Sequence, residues 1–384
     1  MTGSSGTPLG KPGYRLIDAD SHINEPPDLW TSRVPKKFKD RAPKMEHFDQ
    51  GDAWVVEGGR EPINFGNNCA AGIPLAERSP WVRWEDVRPG GYDPKARLSE
   101  MDTDLVDAAV FYPTPRVSHL VIANPDPEFH LSLVRAYNDW LSEYVSYDPG
   151  RLGAIMLVPN RGVKDAVAEI ERVINRPGVV GALIGCYPHG DLNLSEDDDP
   201  VWEAIVASGR ALHLHVNLVN EYPKDIYAAG AVSQARALQD LRFLDAPSRM
   251  LQFLLSGVFD RMPDLRIVMA EVDAGWVPYV KEQMDNRTLR RTAGSQLRST
   301  VLPSQVIEEH FYYTYITDHF AIRNRHQIGV NRLMWSSDFP HSGSDWPHST
   351  RTIHADFADV PDEERDLILG QNAQRLYRFH DSGS

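Results

Sequence analysis

The sequence predicts an α/β protein: a (β/α)8 TIM barrel with a long Pro/Trp-rich insertion after its first strand. Two observations carry that prediction. Eight short apolar runs, rich in β-branched and other aliphatic residues, fall at about 14–20, 108–112, 152–158, 179–184, 211–216, 266–270, 312–316 and 333–336. Helical patterns separate most of them, over 98–106, 127–147, 163–175, 200–208, 233–258, 276–289 and 319–328, and a last amphipathic helix covers roughly 361–378. Strands alternating with helices in this number are the order of a barrel. A doubly wound open sheet is the alternative, but no Gly-x-Gly-x-x-Gly loop follows any strand.

The first run, Tyr14-Arg-Leu-Ile-Asp18-Ala-Asp20-Ser-His22, reads as a short buried strand. Side chains alternate along a strand, which puts Asp18, Asp20 and His22 on one face. Two carboxylates and an imidazole at the end of a buried strand repel and desolvate one another unless a cation sits between them. The motif reads as half of a metal site, with a solvated acidic loop as the alternative. Residues 26–97 follow, with many of the prolines and glycines and with Trp30, Trp54, Trp81 and Trp84. A loop of this length is usually functional or disordered, and its aromatic content predicts a packed insertion that roofs the pocket. The remaining organisation is a flexible leader over 1–13, one barrel domain over 14–380 and a tail over 381–384.

Three later strands end in comparable chemistry. The fifth, Ala211-Leu-His213-Leu-His215, turns both histidines to one face and both leucines to the helices. The sixth ends in Glu271-Val-Asp273, and the eighth runs Leu333-Met-Trp-Ser-Ser-Asp338-Phe-Pro-His341. Residues at the carboxyl ends of barrel strands meet around one pocket. Asp20, His22, His215, Glu271 and Asp338 therefore converge, although more than 300 residues separate the first from the last. Taken singly, a histidine on an apolar strand is more often a bonded core residue, and an aspartate after a strand is commonly a helix cap. Four such elements on four strand ends argue jointly for a metal.

Composition narrows the partners. Lys and Arg total 40 against 54 Asp and Glu, a net charge of −14. That balance argues against nucleic acid or an anionic membrane. Cys69 and Cys186 offer neither a disulfide framework nor a zinc-finger spacing, which suits a reducing cytoplasm. No apolar stretch approaches the roughly 20 residues of a membrane span.

Several stretches together resemble a known family. They are Asp20-Ser-His22 with Glu25-Pro26, Tyr92-Asp-Pro-Lys-Ala-Arg-Leu-Ser-Glu-Met-Asp102, Ser256-Gly-Val-Phe-Asp-Arg-Met-Pro263 leading to Glu271, Trp335-Ser-Ser-Asp-Phe-Pro-His341, and Asn372-Ala-Gln-Arg-Leu-Tyr377. The chain is similar to the amidohydrolase-related branch of the amidohydrolase superfamily, which includes aminocarboxymuconate-semialdehyde and gamma-resorcylate decarboxylases. The resemblance implies a barrel and a divalent metal ion (Mn, Zn or Fe) held by Asp20, His22, His215 and Asp338. Two departures stand out. Asp20-x-His22 replaces the His-x-His common in the family, and Glu271 stands where its decarboxylases place a histidine. A carboxylate in place of an imidazole makes the site harder and tilts it from zinc toward manganese or iron.

The expected activity is metal-assisted hydrolysis or non-oxidative decarboxylation of a small carboxylated, aromatic substrate. Asp338 is the ligand best placed to handle a proton as well, Glu271 a general base or bridging ligand, and His341 a group that orients substrate or donates a proton. The alternative is a dinuclear iron or manganese/iron oxygenase on the same barrel, its second metal held by Glu271, Glu25 and His213. A catalytically silent barrel acting as a subunit is the third reading. Blander roles stand beside each residue: Glu271 and Asp273 capping the next helix, His341 packing on Pro340, Asp18 and His213 as buried neighbours of ligands. Trp346 and the insertion tryptophans are candidate pocket walls. Arg83, Arg88 and Arg116 are candidate anchors for a substrate anion. The expected partners are a small-molecule substrate and a second copy or related subunit.

Overall fold

In a computed structural model, which describes residues 13–59, 61–191, 193–215, 242–290 and 301–379, the eight apolar runs become eight strands of one sheet. Strands in chain order are β1 (Ile17–His22), β2 (Lys44–Phe48), β3 (Gly51–Val55), β4 (Ile63–Asn64), β5 (Ala108–Tyr112), β6 (Leu152–Leu157), β7 (Val179–Leu183), β8 (Ala211–His215), β9 (Ile267–Ala270), β10 (Phe311–Tyr315) and β11 (Leu333–Trp335). The large sheet runs β1-β5-β6-β7-β8-β9-β10-β11, so spatial order follows chain order, and every neighbouring pair is parallel. Parallel strands covered on both sides must be apolar throughout. Ala-Ala-Val-Phe-Tyr of β5 and Leu-Gly-Ala-Ile-Met-Leu of β6 are buried at every position. The sheet closes on itself just past β11: the His22 amide donates to the Phe339 carbonyl (2.6 Å) and the Asp338 amide to the Asp20 carbonyl (3.1 Å).

Helices cover the outside of this cylinder. Those over Pro94–Thr103 and Pro127–Val145 start where a proline follows an aspartate whose carboxylate accepts first-turn amides: Asp93 from Ala96, and Asp126 from Glu128 and Phe129. Proline gives up no bond there and the carboxylate meets an orphan donor. Of the helix expected over 233–258, Arg242–Leu255 and Val258–Arg261 are described, and the part before 242 lies outside the described residues. The leader 1–12 and the tail from 380 lie outside them too. The last helix is not continuous: Asp362–Asp366 and Asn372–Tyr377 flank a wider π-helical turn, Leu367–Gln371. Gly370 in that turn lies so close to the start of β1 that a Cβ would come within 2.2 Å of the Arg15 carbonyl.

The apolar residues of the insertion join the core of the barrel. Strands β2, β3 and β4 form an antiparallel sheet. Trp30 meets Trp54 edge to face at 5.3 Å, Trp84 packs on Tyr92 at 4.9 Å, and Trp81 lies 5.9 Å from Phe48. These tryptophans hold the insertion together instead of walling the pocket. The unit docks on the carboxyl end of the barrel through backbone bonds: Asn24 amide to Gly91 carbonyl (2.7 Å), Ala71 amide to Pro340 carbonyl (3.0 Å) and Ser342 amide to Asn67 carbonyl (2.8 Å). It therefore covers the sector where β1 and β11 end. Cys69 and Cys186 are both buried, and their thiols donate to backbone carbonyls, Cys69 to Gly66 and Cys186 to Asp191. Among the described residues no helix is long and apolar enough to cross a membrane.

Candidate metal centre

The first strand departs from simple alternation. Its register on β5 slips between Asp18 and Ser21: Asp18 pairs with Ala109 but Ser21 with Phe111. The extra residue is a bulge, which breaks the period of two. Asp18 is thereby turned from the face that strict alternation assigns it and becomes a buried neighbour of the ligands. Its carboxylate accepts the Ser337 amide (2.9 Å) and the Ser337 hydroxyl, and burial pushes its pKa up to about 7.

Asp20 and His22 point to the centre. Asp20 Oδ2 accepts the Thr314 hydroxyl (3.0 Å), and Thr314 Oγ1 in turn accepts the Glu271 amide (2.7 Å). Asp20 Oδ1 is buried with no hydrogen-bond partner, 3.7 Å from His22 Nε2 and 3.5 Å from His215 Nε2. His22 Nδ1 donates to the Pro113 carbonyl (3.2 Å), which fixes the tautomer and leaves the Nε2 lone pair facing inward. That Nε2 is likewise buried without a hydrogen bond, 3.4 Å from Asp338 Oδ1. Burial, reinforced by His341 and His215, holds His22 well below the usual imidazole range, so the ring is a neutral donor.

The other strand ends complete the ring of donors. His215, the last residue of β8, stands edge-on to His22 at 5.1 Å, and its Nε2 lies 3.5 Å from Glu271 Oε2. Glu271 (φ 54°) and Asp338 (φ 55°) both adopt left-handed backbone just beyond β9 and β11. For non-glycine residues that conformation is uncommon and marks functional sites. Burial, with Asp338 adding repulsion, pushes Glu271 up to about 8. His341 stacks on His22 at 3.9 Å, places Nδ1 2.8 Å from Asp338 Oδ1, and meets Asn68 Nδ2 through Nε2 at 3.1 Å. Burial holds His341 down to about 4.

Two overlapping sets of donor atoms result, Asp20/His22/His215 and His22/Asp338/His341, each with all its atoms within 4.8 Å of one another. Two ligands about 2.1 Å from one ion at a tetrahedral angle lie about 3.4 Å apart. The observed 3.4–3.7 Å separations about Asp20 and His22 match that spacing. Buried carboxylates facing neutral imidazoles are costly without a cation. The residues fit a divalent ion, and a mixed carboxylate and imidazole set without thiolate suits Mn, Zn or Fe.

Other expected residues lie elsewhere. Glu25 Oε1 accepts the Thr114 amide (2.9 Å) and His213 Nδ1 bonds the Tyr112 hydroxyl (2.6 Å). Neither enters a donor set among the described residues. His213 sits two residues down the strand, about 6.6 Å deeper, against Gly181. The second-metal set of Glu271, Glu25 and His213 is therefore not gathered; of the three, Glu271 alone reaches a donor of the centre. Arg83 is taken up by Asp52 (3.0 Å), Arg88 by Glu100 (3.3 Å) and the Trp346 ring, and the Arg116 side chain is outside the described residues. Trp346 lines a separate cleft behind β1. Thr314 and Asn68 escaped the sequence reading. Thr314 is the one non-aromatic residue of Phe-Tyr-Tyr-Thr-Tyr, a signal that was there; Asn68 lies in a single short helical turn, Gly66–Cys69, with no periodicity to mark it.

Comparison with known proteins adds four findings. A family model described as Amidohydrolase matches residues 17–379. A gamma-resorcylate decarboxylase from a Polaromonas species is 26% identical over 272 residues, which cover 64% of this chain and 76% of that protein. Among solved structures, an amidohydrolase from Mycobacterium avium subsp. paratuberculosis superposes with a TM-score of 0.75 at 22% identity, over 97% of this chain and all (100%) of that one. A dihydroxybenzoic acid decarboxylase from Polaromonas, with bound manganese and the inhibitor 2-nitroresorcinol, superposes with a TM-score of 0.66 at 19% identity, over 96% and 98% of the two chains.

Proposed function

From the premise that the chain belongs to the amidohydrolase family, we propose that it is a metal-dependent, non-oxidative decarboxylase of small aromatic carboxylates. The observation that carries the reading is the convergence of Asp20, His22, His215 and Asp338 donors in one buried centre. Relatives named for the loss of CO2 from hydroxybenzoates favour decarboxylation over hydrolysis. The manganese of one of them agrees with the carboxylate-rich donor set. Among the described residues no second site is gathered to support the oxygenase reading.

Asp20, His22, His215 and Asp338 would hold the ion. When bound, it supplies a Lewis acid for a carboxylate or phenolate oxygen of the substrate. The reaction needs one proton on the ring carbon that carries the carboxylate. The bonding pair of the C–C bond then returns to the ring as CO2 leaves, and neither water nor oxidant is consumed. Asp20, Glu271 and Asp338 are carboxyl groups at the centre, and burial favours the protonated form of Glu271 at neutral pH. His341, bridging Asp338 and Asn68, links the Asp338 carboxylate to the insertion and can carry the replacement proton. Thr314 keeps Asp20 and Glu271 in register.

The test is a panel of hydroxybenzoates, aryl amides and lactones given to protein loaded with manganese, with CO2, hydrolysis products and oxygen uptake recorded. CO2 release from a hydroxybenzoate, lost by about 100-fold or more in His215→Ala and Asp338→Asn, is the expected result. Hydrolysis or oxygen uptake without CO2 would overturn it.

A further inference from the structure

We propose that Arg97 is a positioning residue for the metal centre, a buried guanidinium that fixes the seam where β1 and the segment after β11 present their ligands. The inference rests on the metal-centre reading above. Arg97 projects from the helix Pro94–Thr103 and is only 1% exposed. Its Nη2 donates to the Ser21 hydroxyl (3.2 Å) and to the His22 carbonyl, the residue's own backbone beside the inward Nε2. Its plane lies between two rings, 4.7 Å from Phe111 and 4.5 Å from Phe339.

Each of these contacts touches the seam. Ser21 belongs to the bulge and donates to the Phe339 carbonyl (2.9 Å), while the His22 amide donates to the same carbonyl. Phe339 directly follows Asp338, and the Asp338 amide reaches back to Asp20. One guanidinium thus grips the strand end that bears Asp20 and His22 and stacks on the residue next to Asp338.

Stability alone does not call for an arginine here. A buried cation with no ion pair is unfavourable, and an apolar side chain of like volume commonly serves a core as well or better. Asp18, a carboxylate whose charge acts on Arg97, gives its oxygens to Ser337 and the Asp20 amide. Among the described residues Arg97 Nε and Nη1 make no hydrogen bond, and Arg97 borders a small cleft with Asp18, Ser337 and Trp346. Lysine cannot both fork to two oxygens and stack between two rings.

The experiment measures Mn(II) stoichiometry, affinity and the electron paramagnetic resonance line shape of the bound ion in wild type, Arg97→Met, Arg97→Lys and Arg97→Ala, beside thermal melts. Arg97→Met is expected to melt as high as wild type yet bind Mn(II) about tenfold or more weakly, with an altered line shape. Arg97→Lys should share the defect and carries the measurement if the methionine variant misfolds. Free guanidinium ion, which matches the group the truncation removes, should restore affinity in Arg97→Ala where sodium at equal ionic strength does not. Wild-type affinity and line shape in folded Arg97→Met or Arg97→Lys would overturn the positioning role. Absence of Mn(II) uptake by the wild type would overturn the metal-centre reading and this inference with it.

Discussion

At the scale of single residues, the centre depends on side chains that never face it. Thr314 ties two acidic residues together through one hydroxyl: it donates to Asp20 Oδ2 and accepts the Glu271 amide. Thr314→Val keeps the shape but leaves a buried amide and a carboxylate oxygen without partners, at a cost of about 1–3 kcal/mol. Urea unfolding should register that loss, and metal titration should show weaker binding alongside it. His130 gives a separate, electrostatic prediction. Its ring bonds the Val121 carbonyl (2.9 Å) and accepts the Asn160 amide (3.1 Å), and burial holds its pKa down to about 4 against an ordinary value of 6.5. Between those two values the unfolded chain binds a proton that the folded one refuses, so stability falls as pH drops from 6.5 toward about 4. The full effect is about 3 kcal/mol. His130→Gln should flatten the acid limb of a plot of unfolding free energy against pH; an unchanged limb would refute this account.

At the scale of elements, the barrel was legible because parallel strands buried on both faces leave uninterrupted apolar runs. The donors at His215 and Asp338 were legible for the related reason that barrel strands aim their carboxyl ends at one place. What alternation could not reveal was the bulge in β1. A period of two presumes an even pleat, and one extra residue between Asp18 and Ser21 moves Asp18 from the centre to Ser337. The insertion's sheet was also hidden, since β2 is largely exposed and its strands are short. Close approach inside the barrel is a constraint of the same scale. Gly181 on β7 faces His213 on β8, and a Cβ there would stand 2.3 Å from the ring Nε2 and 2.9 Å from Ile155 Cδ1. Gly181→Ala should therefore cost about 1–3 kcal/mol by overpacking, read as a lower urea midpoint at unchanged slope.

At the scale of the whole molecule, the ion and the fold are linked. An ion that binds only the folded chain adds about 2.7 kcal/mol at a hundredfold excess over its dissociation constant. Melting temperature should thus rise with manganese, fall with a chelator, and move far less in His215→Ala; equal shifts in both proteins would count against the centre. The closure that joins the two ends of the sheet sets a further condition. Asp18 and Ser337, partners across the seam, are 319 residues apart in sequence. During synthesis β1 leaves the ribosome first and must wait for nearly all the remaining chain before Asp338 can reach Asp20. Loading of the ion is accordingly a post-translational event, and a stalled chain that stops short of β11 carries the first ligands without the means to close around them.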